Sequence, residues 1–447
     1  VSREDVTIGI DVGSTAVKAV AADEDGRVTA RVRIPHQLRV PAADRLEHDA
    51  DEAWRRGPLS ALRQLDRPGV RAVAVSTMVP SLTAVDPGGV PITPGLLYGD
   101  ARGRVASEHA VAASQSLPSP GETTEFLRWT VGQAPGAAGY WPAAAVANHA
   151  LAREAVIDSA TAAAAFPLFD GTQWSPAACA DCGAAVAQMP RVEKLGVPVG
   201  RVHPTGAVLV AGAIDALCEQ IVAGADHDGD ALVLCGTTLL VWTTIPEYRQ
   251  VPGLWTIPHT APGKSQIGGA SNAGGLFLDW VDRVVAPGDP TTARADRVPV
   301  WSPYIRGERV PMHDPDRRAV LDAVDLTHDA AALRRAAYEA SGFVVRRLIE
   351  LSGTRVDRIV AAGGGARAVS WMQSIADATG RPVHVSAVAE GAALGAAFLA
   401  RMGAGLETAI AGAARWARTS HVVEPDPAWV AAVEGRYRRF LELGSAR

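Results

Sequence analysis

Apolar residues near the start of the chain recur at every second position. Ile8, Ile10 and Val12 alternate with smaller or polar residues, and Val17 to Ala22 resumes the pattern after Gly13, Ser14 and Thr15. A period of two predicts two strands, and the glycine-hydroxyl triplet between them predicts a turn, so this stretch reads as a hairpin. Asp11 lies in the first strand, just before the turn. The polar turn Asp23 to Arg27, with Gly26 at its tip, leads to a third alternating strand over Val28 to Ile34. A helix is expected to carry Trp54, Leu59 and Leu62, with Asp49 placed to cap it and Gly57-Pro58 placed to kink or interrupt it. His48 is expected at the surface or in a cap. Val70 to Val75 is a strand running into a loop, Ser76 to Ser81, and Leu82 to Val85 is another strand.

The middle of the chain, 103 to 174, is alanine-rich and reads as helical or irregular, broken by Pro118 and Pro120 and with Phe126, Leu127 and Trp129 as core residues. Pro142 suits the first turn of a helix over Ala143 to Arg153, where its missing N–H costs nothing. A strand over Val208 to Ala211 ends at Gly212, and a helix begins near Asp215. After a polar, acidic stretch from Gly224 to Asp230, the opening pattern returns: strand Ala231 to Cys235, the turn Gly236-Thr237-Thr238, then strand Leu239 to Thr243. Two further glycine clusters precede helices, Gly268 to Gly275 and Gly363-Gly364-Gly365-Ala366, the second directly after a strand at Arg358 to Ala362. Helical spacing marks Ala331 to Leu351 and Glu390 to Leu399. Residues after Ala411 read as peripheral, with a terminal helix around Trp429 to Leu443.

The chain of 447 residues is long enough for two cores, so two domains are expected, 1–225 and 226–447. Hydrophobic residues make up 48% and charged residues 20%, within the range of soluble enzymes, and the net charge of -5 leaves no footprint for nucleic acid. The charged start lacks a signal-peptide pattern, and no apolar run suggests a membrane span. Cys179 and Cys182 form a lone CxxC with no second pair to complete a zinc site. These features give the expectation of a cytoplasmic protein without membrane or nucleic-acid partners.

The candidate chemistry lies in the turns. A glycine-hydroxyl turn offers N–H groups to phosphate, and a carboxylate beside it offers an anchor for hydrated magnesium. Asp215, at a strand–helix junction, faces free helix N–H groups that favour its ionised form. Its two readings are a helix cap and a general base for a hydroxyl. Backbone at Gly363 to Gly365 can be approached closely by a nucleotide. Asp100 and Arg102 stand two apart and share a face if that segment is extended.

Seven segments, in order, resemble the FGGY family of carbohydrate kinases. They are Gly9 to Ala19, Glu47 to Trp54, Pro94 to Arg102 with Tyr98 in a Trp position, Gly212 to Cys218, Cys235 to Thr238, Tyr304 to Pro315 and Ala362 to Val383. The resemblance spans roughly 6 to 402. It implies an α/β fold with a duplicated, two-domain ribonuclease H-like ATPase core of the actin/hexokinase type, with a cleft between the domains. It further implies transfer of the γ-phosphoryl of ATP, with Mg2+, to a sugar or polyol hydroxyl. Asp215 falls on the family's catalytic Asp, and Asp11 is placed at the magnesium as the second catalytic carboxylate. Gly13, Ser14, Thr15, Lys18, Gly236, Thr237 and Thr238 are expected at the phosphates, and Gly364, Gly365 and Ala366 at the adenosine. Met78, Val79, Asp100 and Arg102 are expected to face the sugar. Xylulokinase-like members often carry Gln-Met-His-Gly where this chain has Thr77-Met78-Val79-Pro80. D-xylulose is the default substrate, ribulose or a polyol the rival. A non-catalytic sugar or nucleotide sensor is the alternative of a different class. A small-molecule sugar or polyol is the expected partner, and a homodimer is compatible with the resemblance.

Overall fold

The computed structural model describes residues 5–42, 44–104, 121–388 and 390–445. Packing divides them into two units. The first holds the described residues from 5 to 222 together with Glu390–Trp416; the second holds 223–388 and 417–445. The sequence reading put one boundary after residue 225, whereas the packing also returns a late segment to the first unit. The predicted break at Pro118 and Pro120 lies outside the described residues.

The first unit is built on a six-stranded sheet. Its strands are β1 (Val6–Val12), β2 (Ala16–Ala22), β3 (Val28–Pro35), β4 (Val70–Thr77), β5 (Pro198–Arg201) and β6 (Val208–Ile214), in the spatial order β5-β6-β4-β1-β2-β3. The predicted hairpin is present: β1 pairs antiparallel with β2, placing Asp11 opposite Lys18 and Val12 opposite Val17. β1 is buried along its whole length, as a strand covered on both faces must be. β3 at the edge alternates half-buried and exposed residues instead. β4 runs parallel to β1 and to β6, so the carboxyl ends of β1, β4 and β6 lie side by side. This is the end of an open sheet at which ligands bind.

The second unit repeats this plan. Its strands are β7 (Asp230–Cys235), β8 (Leu239–Ile245), β9 (Trp255–Pro258), β10 (Ser265–Ser271), β11 (Arg358–Ala362), β12 (Val383–Ser386) and β13 (Thr419–Val423), in the order β9-β10-β8-β7-β11-β12-β13. In each unit an antiparallel hairpin carries a third antiparallel strand on one side. On the other side two parallel strands follow, and then an antiparallel edge. The duplication expected from the two Gly-hydroxyl hairpins is thus a duplication of sheet topology.

Small residues let a late helix reach the first sheet. The helix Gly391–Gly403 lies against β1 so closely that a Cβ on Gly9 would collide with the Ala393 carbonyl, and against the helix Asp215–Ala223 so closely that one on Gly395 would collide with the Cys218 carbonyl. Those contacts draw this segment back to the first unit. Two expectations change. Trp416 is not peripheral: it is 1% exposed, packs edge-on to Phe398, and its indole N–H donates to the Glu24 carbonyl. The expected terminal helix is present, as Pro427–Ser445, but it too is not peripheral, because it buries Val433, Tyr437 and Phe440. The Gly57-Pro58 pair does not interrupt its helix; the winding changes there from a π segment, Asp51–Arg56, to the α segment Gly57–Leu65.

Candidate active site

Three carboxylates, Asp11 buried and Asp215 and Glu219 half-buried, feel the charge of one lysine at the carboxyl end of the first sheet. Asp11 is held by the Ser76 hydroxyl, which donates to its Oδ1 at 3.1 Å. Ser76 is level with Asp11 in β4, and Ala213 of β6 is level with Ser76. β4 continues through Ser76 and Thr77, so these residues end the strand rather than open the predicted loop. A register shift between Val210 and Ala213 interrupts the pairing of β6 just before Asp215. Such irregularities re-aim side chains at strand ends. Asp215 opens the helix Asp215–Ala223, as predicted, and its Oδ1 accepts the Ala216 N–H at 2.7 Å.

Burial raises the pKa of Asp11 against the opposing pull of Lys18 and Ser76. Burial, and then the charge of Asp11, push Asp215 up to about 7. Glu219, four residues further along the same helix, is pushed up to about 8 by burial despite Lys18. Lys18 acts on all three carboxylates. The sequence reading passed over Glu219, although the i, i+4 spacing from Asp215 places both on one helix face. Its carboxylate also accepts the Ala392 N–H, tying it to the helix Gly391–Gly403.

The turn between β1 and β2 closes with the Gly13 N–H donating to the Ala16 carbonyl. A Cβ on Gly13 would stand 3.6 Å from Asp11 Oδ2 and 3.3 Å from the Ala16 carbonyl. Glycine therefore keeps space open over the carboxylate. Mg2+ is held by one or two carboxylates and keeps several waters. A buried Asp11 with one oxygen turned to that space fits such an ion. Among the described residues no group of three or more His, Cys, Asp or Glu side chains forms a full protein cage for a metal.

In the second unit the turn Gly236 to Thr238 closes more tightly, with the Gly236 N–H donating to the Thr238 carbonyl two residues on rather than three. The N-terminus of the helix Gly275–Val284 supports it, because the N–H groups of Gly275 and Leu276 donate to the carbonyls of Gly236 and Thr237. A Cβ on Gly274 would run into the backbone of Thr238 and Leu239. The last glycines of the 268–275 cluster thus allow helix and turn to meet. After β11, Gly363 adopts φ 88°. A Cβ on Gly365 would come 2.8 Å from the Cys235 carbonyl, whereas one on Gly364 would meet nothing within 4 Å. Ala366 is turned inward and buried. Trp371 is a core residue, as expected, donating to the Ser341 hydroxyl.

Residues 6–235 match the N-terminal domain of the FGGY family of carbohydrate kinases, and residues 231–404 match its C-terminal domain. The chain belongs to this family. The kinase is 25% identical to the gluconokinase of Bacillus subtilis over 442 residues, 88% of this chain and 86% of that protein. It is also 25% identical to the xylulose kinase of the same organism over 443 residues, 89% of this chain and 88% of the relative. In fold it is similar to the gluconate kinase of Lactobacillus acidophilus, with a TM-score of 0.81 at 20% identity, covering 98% and 97% of the two chains. The actin/hexokinase-type core expected from the sequence is thus the fold of this kinase.

The residues expected at the sugar are arranged differently from the sequence expectation. Asp100 and Arg102 do not lie on an extended piece. Asp100 caps the 3-10 turn Ala101–Gly103 and accepts from the Arg102 backbone N–H and its guanidinium. Its Oδ2 also accepts the Leu46 N–H. Arg102 reaches on to Glu47 at 2.9 Å and stacks 4.6 Å above the Trp129 ring. The side chains of this ion pair are buried. Met78 is buried, Val79 is half-buried, and Pro80 follows through a cis peptide.

His48 overturns its expected surface role. It is fully buried, with Nε2 2.8 Å from the Ser14 carbonyl and Nδ1 accepting the Trp54 indole N–H at 2.9 Å. The Ser14 partner is 34 residues away in sequence, beyond the reach of local patterning.

Proposed function

We propose that this carbohydrate kinase transfers the γ-phosphoryl of ATP to a hydroxyl of a five-carbon ketose, with D-xylulose as the first candidate. The observation that carries the chemistry is Asp215, a carboxylate at a strand–helix junction whose affinity for protons is raised to about 7 by burial and by Asp11. A base poised near the working pH accepts a proton most effectively in the transition state. In the proposed step the acceptor oxygen forms a bond to the γ-phosphorus and its proton passes to Asp215. The bond from that phosphorus to the bridging oxygen breaks, and ADP leaves. Little covalent chemistry falls to the protein, so positioning and charge carry the rate.

Backbone N–H groups of the turns Gly13 to Thr15 and Gly236 to Thr238 hold phosphate oxygens, with Lys18 as a nearby positive charge. The space beside Gly364 takes the adenosine side. Asp11 holds magnesium, directly or through water, and that ion neutralises charge on the phosphates when bound.

Family membership and the likeness to xylulose kinase support the ketose. The apolar wall of Met78, Val79 and Pro80 cannot satisfy a sugar hydroxyl, and an unpaired buried hydroxyl is costly. The hydroxyl met there in typical xylulokinases is therefore absent or inverted in the substrate of this kinase, or is met by Asp100, Arg102 or water. A coupled ADP-release assay over pentuloses, pentitols, tetritols, glycerol and gluconate tests the substrate. The expected result is the highest kcat/KM on a pentulose. Highest kcat/KM on gluconate or glycerol, with weak activity on every pentulose, overturns the ketose while leaving the kinase intact.

A further inference from the structure

We infer that His48 is a positioning residue that aims the backbone of the first phosphate turn through the carbonyl of Ser14. This rests on the reading of Gly13 to Thr15 as a phosphate site.

The tautomer of His48 follows from its two partners. The Ser14 carbonyl can only accept, so Nε2 carries the hydrogen. The Trp54 indole N–H can only donate, so Nδ1 is bare. Burial, and next the neighbouring His36, hold the His48 pKa down to about 4, so the ring stays neutral at working pH. The ring of His36 stands 4.7 Å away, and its backbone N–H donates to the Thr15 carbonyl at 3.1 Å. The Ser14 hydroxyl meets the Tyr98 hydroxyl at 2.7 Å. Two successive carbonyls of the turn are thus drawn to fixed donors, one on the residue that follows β3 and one on the buried imidazole of His48.

The consequence follows from peptide geometry. In a trans peptide the C=O of one residue and the N–H of the next point in opposite directions. With the Ser14 carbonyl held against His48, the Thr15 N–H faces away from that buried ring. An N–H fixed in this way is a preorganised donor for an anion, and it needs no reorganisation when phosphate arrives. Trp54 contributes one step further back, by fixing the imidazole.

The geometry also explains why the position needs a group that donates at one end and accepts at the other. A glutamine offers both, through its amide N–H and carbonyl. Leucine fills a similar volume and offers neither. Asparagine has the same groups on a shorter stem.

The test is titration of the kinase with magnesium ADP by calorimetry, alongside thermal melts that check the fold of each variant. His48→Leu is expected to weaken binding about tenfold, near the value of one preorganised hydrogen bond. His48→Gln is expected to bind within about threefold of wild type by the same relation. Should His48→Leu fail to fold, His48→Asn replaces it with the same expected loss. Gly13→Ala places a methyl in the space at the turn and tests the underlying reading, with weaker ADP binding expected. If Gly13→Ala weakens ADP while the folded His48→Leu or His48→Asn protein binds as wild type, the inference falls and the phosphate reading stands. If Gly13→Ala binds as wild type, the phosphate reading fails and the inference falls with it. A His48→Gln loss as large as that of leucine also overturns the proposed donor role.

Discussion

Asp215→Asn is expected to lower turnover by at least about 10²-fold, the usual scale for a general base, while magnesium ADP still binds. Asparagine keeps the size of the side chain and an oxygen that can accept the Ala216 N–H. What it loses is the ability to take a proton. The same variant has a second signature, with its sign fixed by the raised pKa of Asp215. A carboxyl whose folded pKa lies near 7, above its ordinary 3.8, contributes most stability when protonated. That contribution is complete below the ordinary value and is lost as pH rises through about 7. At pH 8 the wild-type protein therefore carries a buried charge that the variant does not. The variant is expected to melt a few degrees higher at pH 8, with the gap narrowing as pH falls toward 4. Turnover near the wild-type value would remove Asp215 from the role of base. A melting temperature equal to that of wild type at pH 8 would show that its carboxylate is not held at a cost.

Asp11→Asn is the second large effect, with turnover expected to fall by about 10²-fold or more, because a metal that neutralises phosphate charge is worth several kcal/mol in the transition state. Raising magnesium should recover part of the loss, since the variant keeps an oxygen in the same place with weaker attraction for the cation. The Ser76 hydroxyl has an acceptor in either case, so the strand ends should remain paired. The measurement is initial rate against magnesium concentration at saturating ATP, with circular dichroism to check the fold. A rate that ignores magnesium over the whole range, in a folded variant, would contradict the placement of the ion at Asp11.

Much of this framework is readable in the chain because it is local. The two hairpins announce themselves through period-two apolar residues on either side of a glycine-hydroxyl turn, and Asp215 through a strand that stops at a helix start. Their carboxylates and turns needed no distant information. The buried role of His48 is not legible locally, because its carbonyl partner sits 34 residues earlier and nothing in the letters near it names Ser14. Asp100 and Arg102 were assigned a shared face on the assumption of an extended piece. The capped 3-10 turn instead folds the arginine back onto the carboxylate, and the third member of the network, Glu47, is 55 residues from Arg102. Residues after Ala411 read as peripheral, Trp416 among them; Gly26, far away in sequence, makes the room the indole occupies, since a Cβ there would strike it. The return of Glu390–Trp416 to the first unit likewise depends on the absence of side chains at Gly9 and Gly395. Each of these is a long-range pairing of small and large, or of donor and acceptor, and periodicity carries no record of it.

The central claim is phosphoryl transfer from ATP to a carbohydrate hydroxyl with Asp215 taking the proton. Phosphorus NMR on the wild-type enzyme, incubated with magnesium ATP and each acceptor of the pentulose, polyol and gluconate panel, reads the transfer directly. The account predicts ADP and a sugar phosphomonoester in equal amounts for at least one acceptor, with Asp215→Asn forming the same product about 10²-fold more slowly. ATP left intact with every acceptor, or ADP accompanied only by inorganic phosphate, would contradict it.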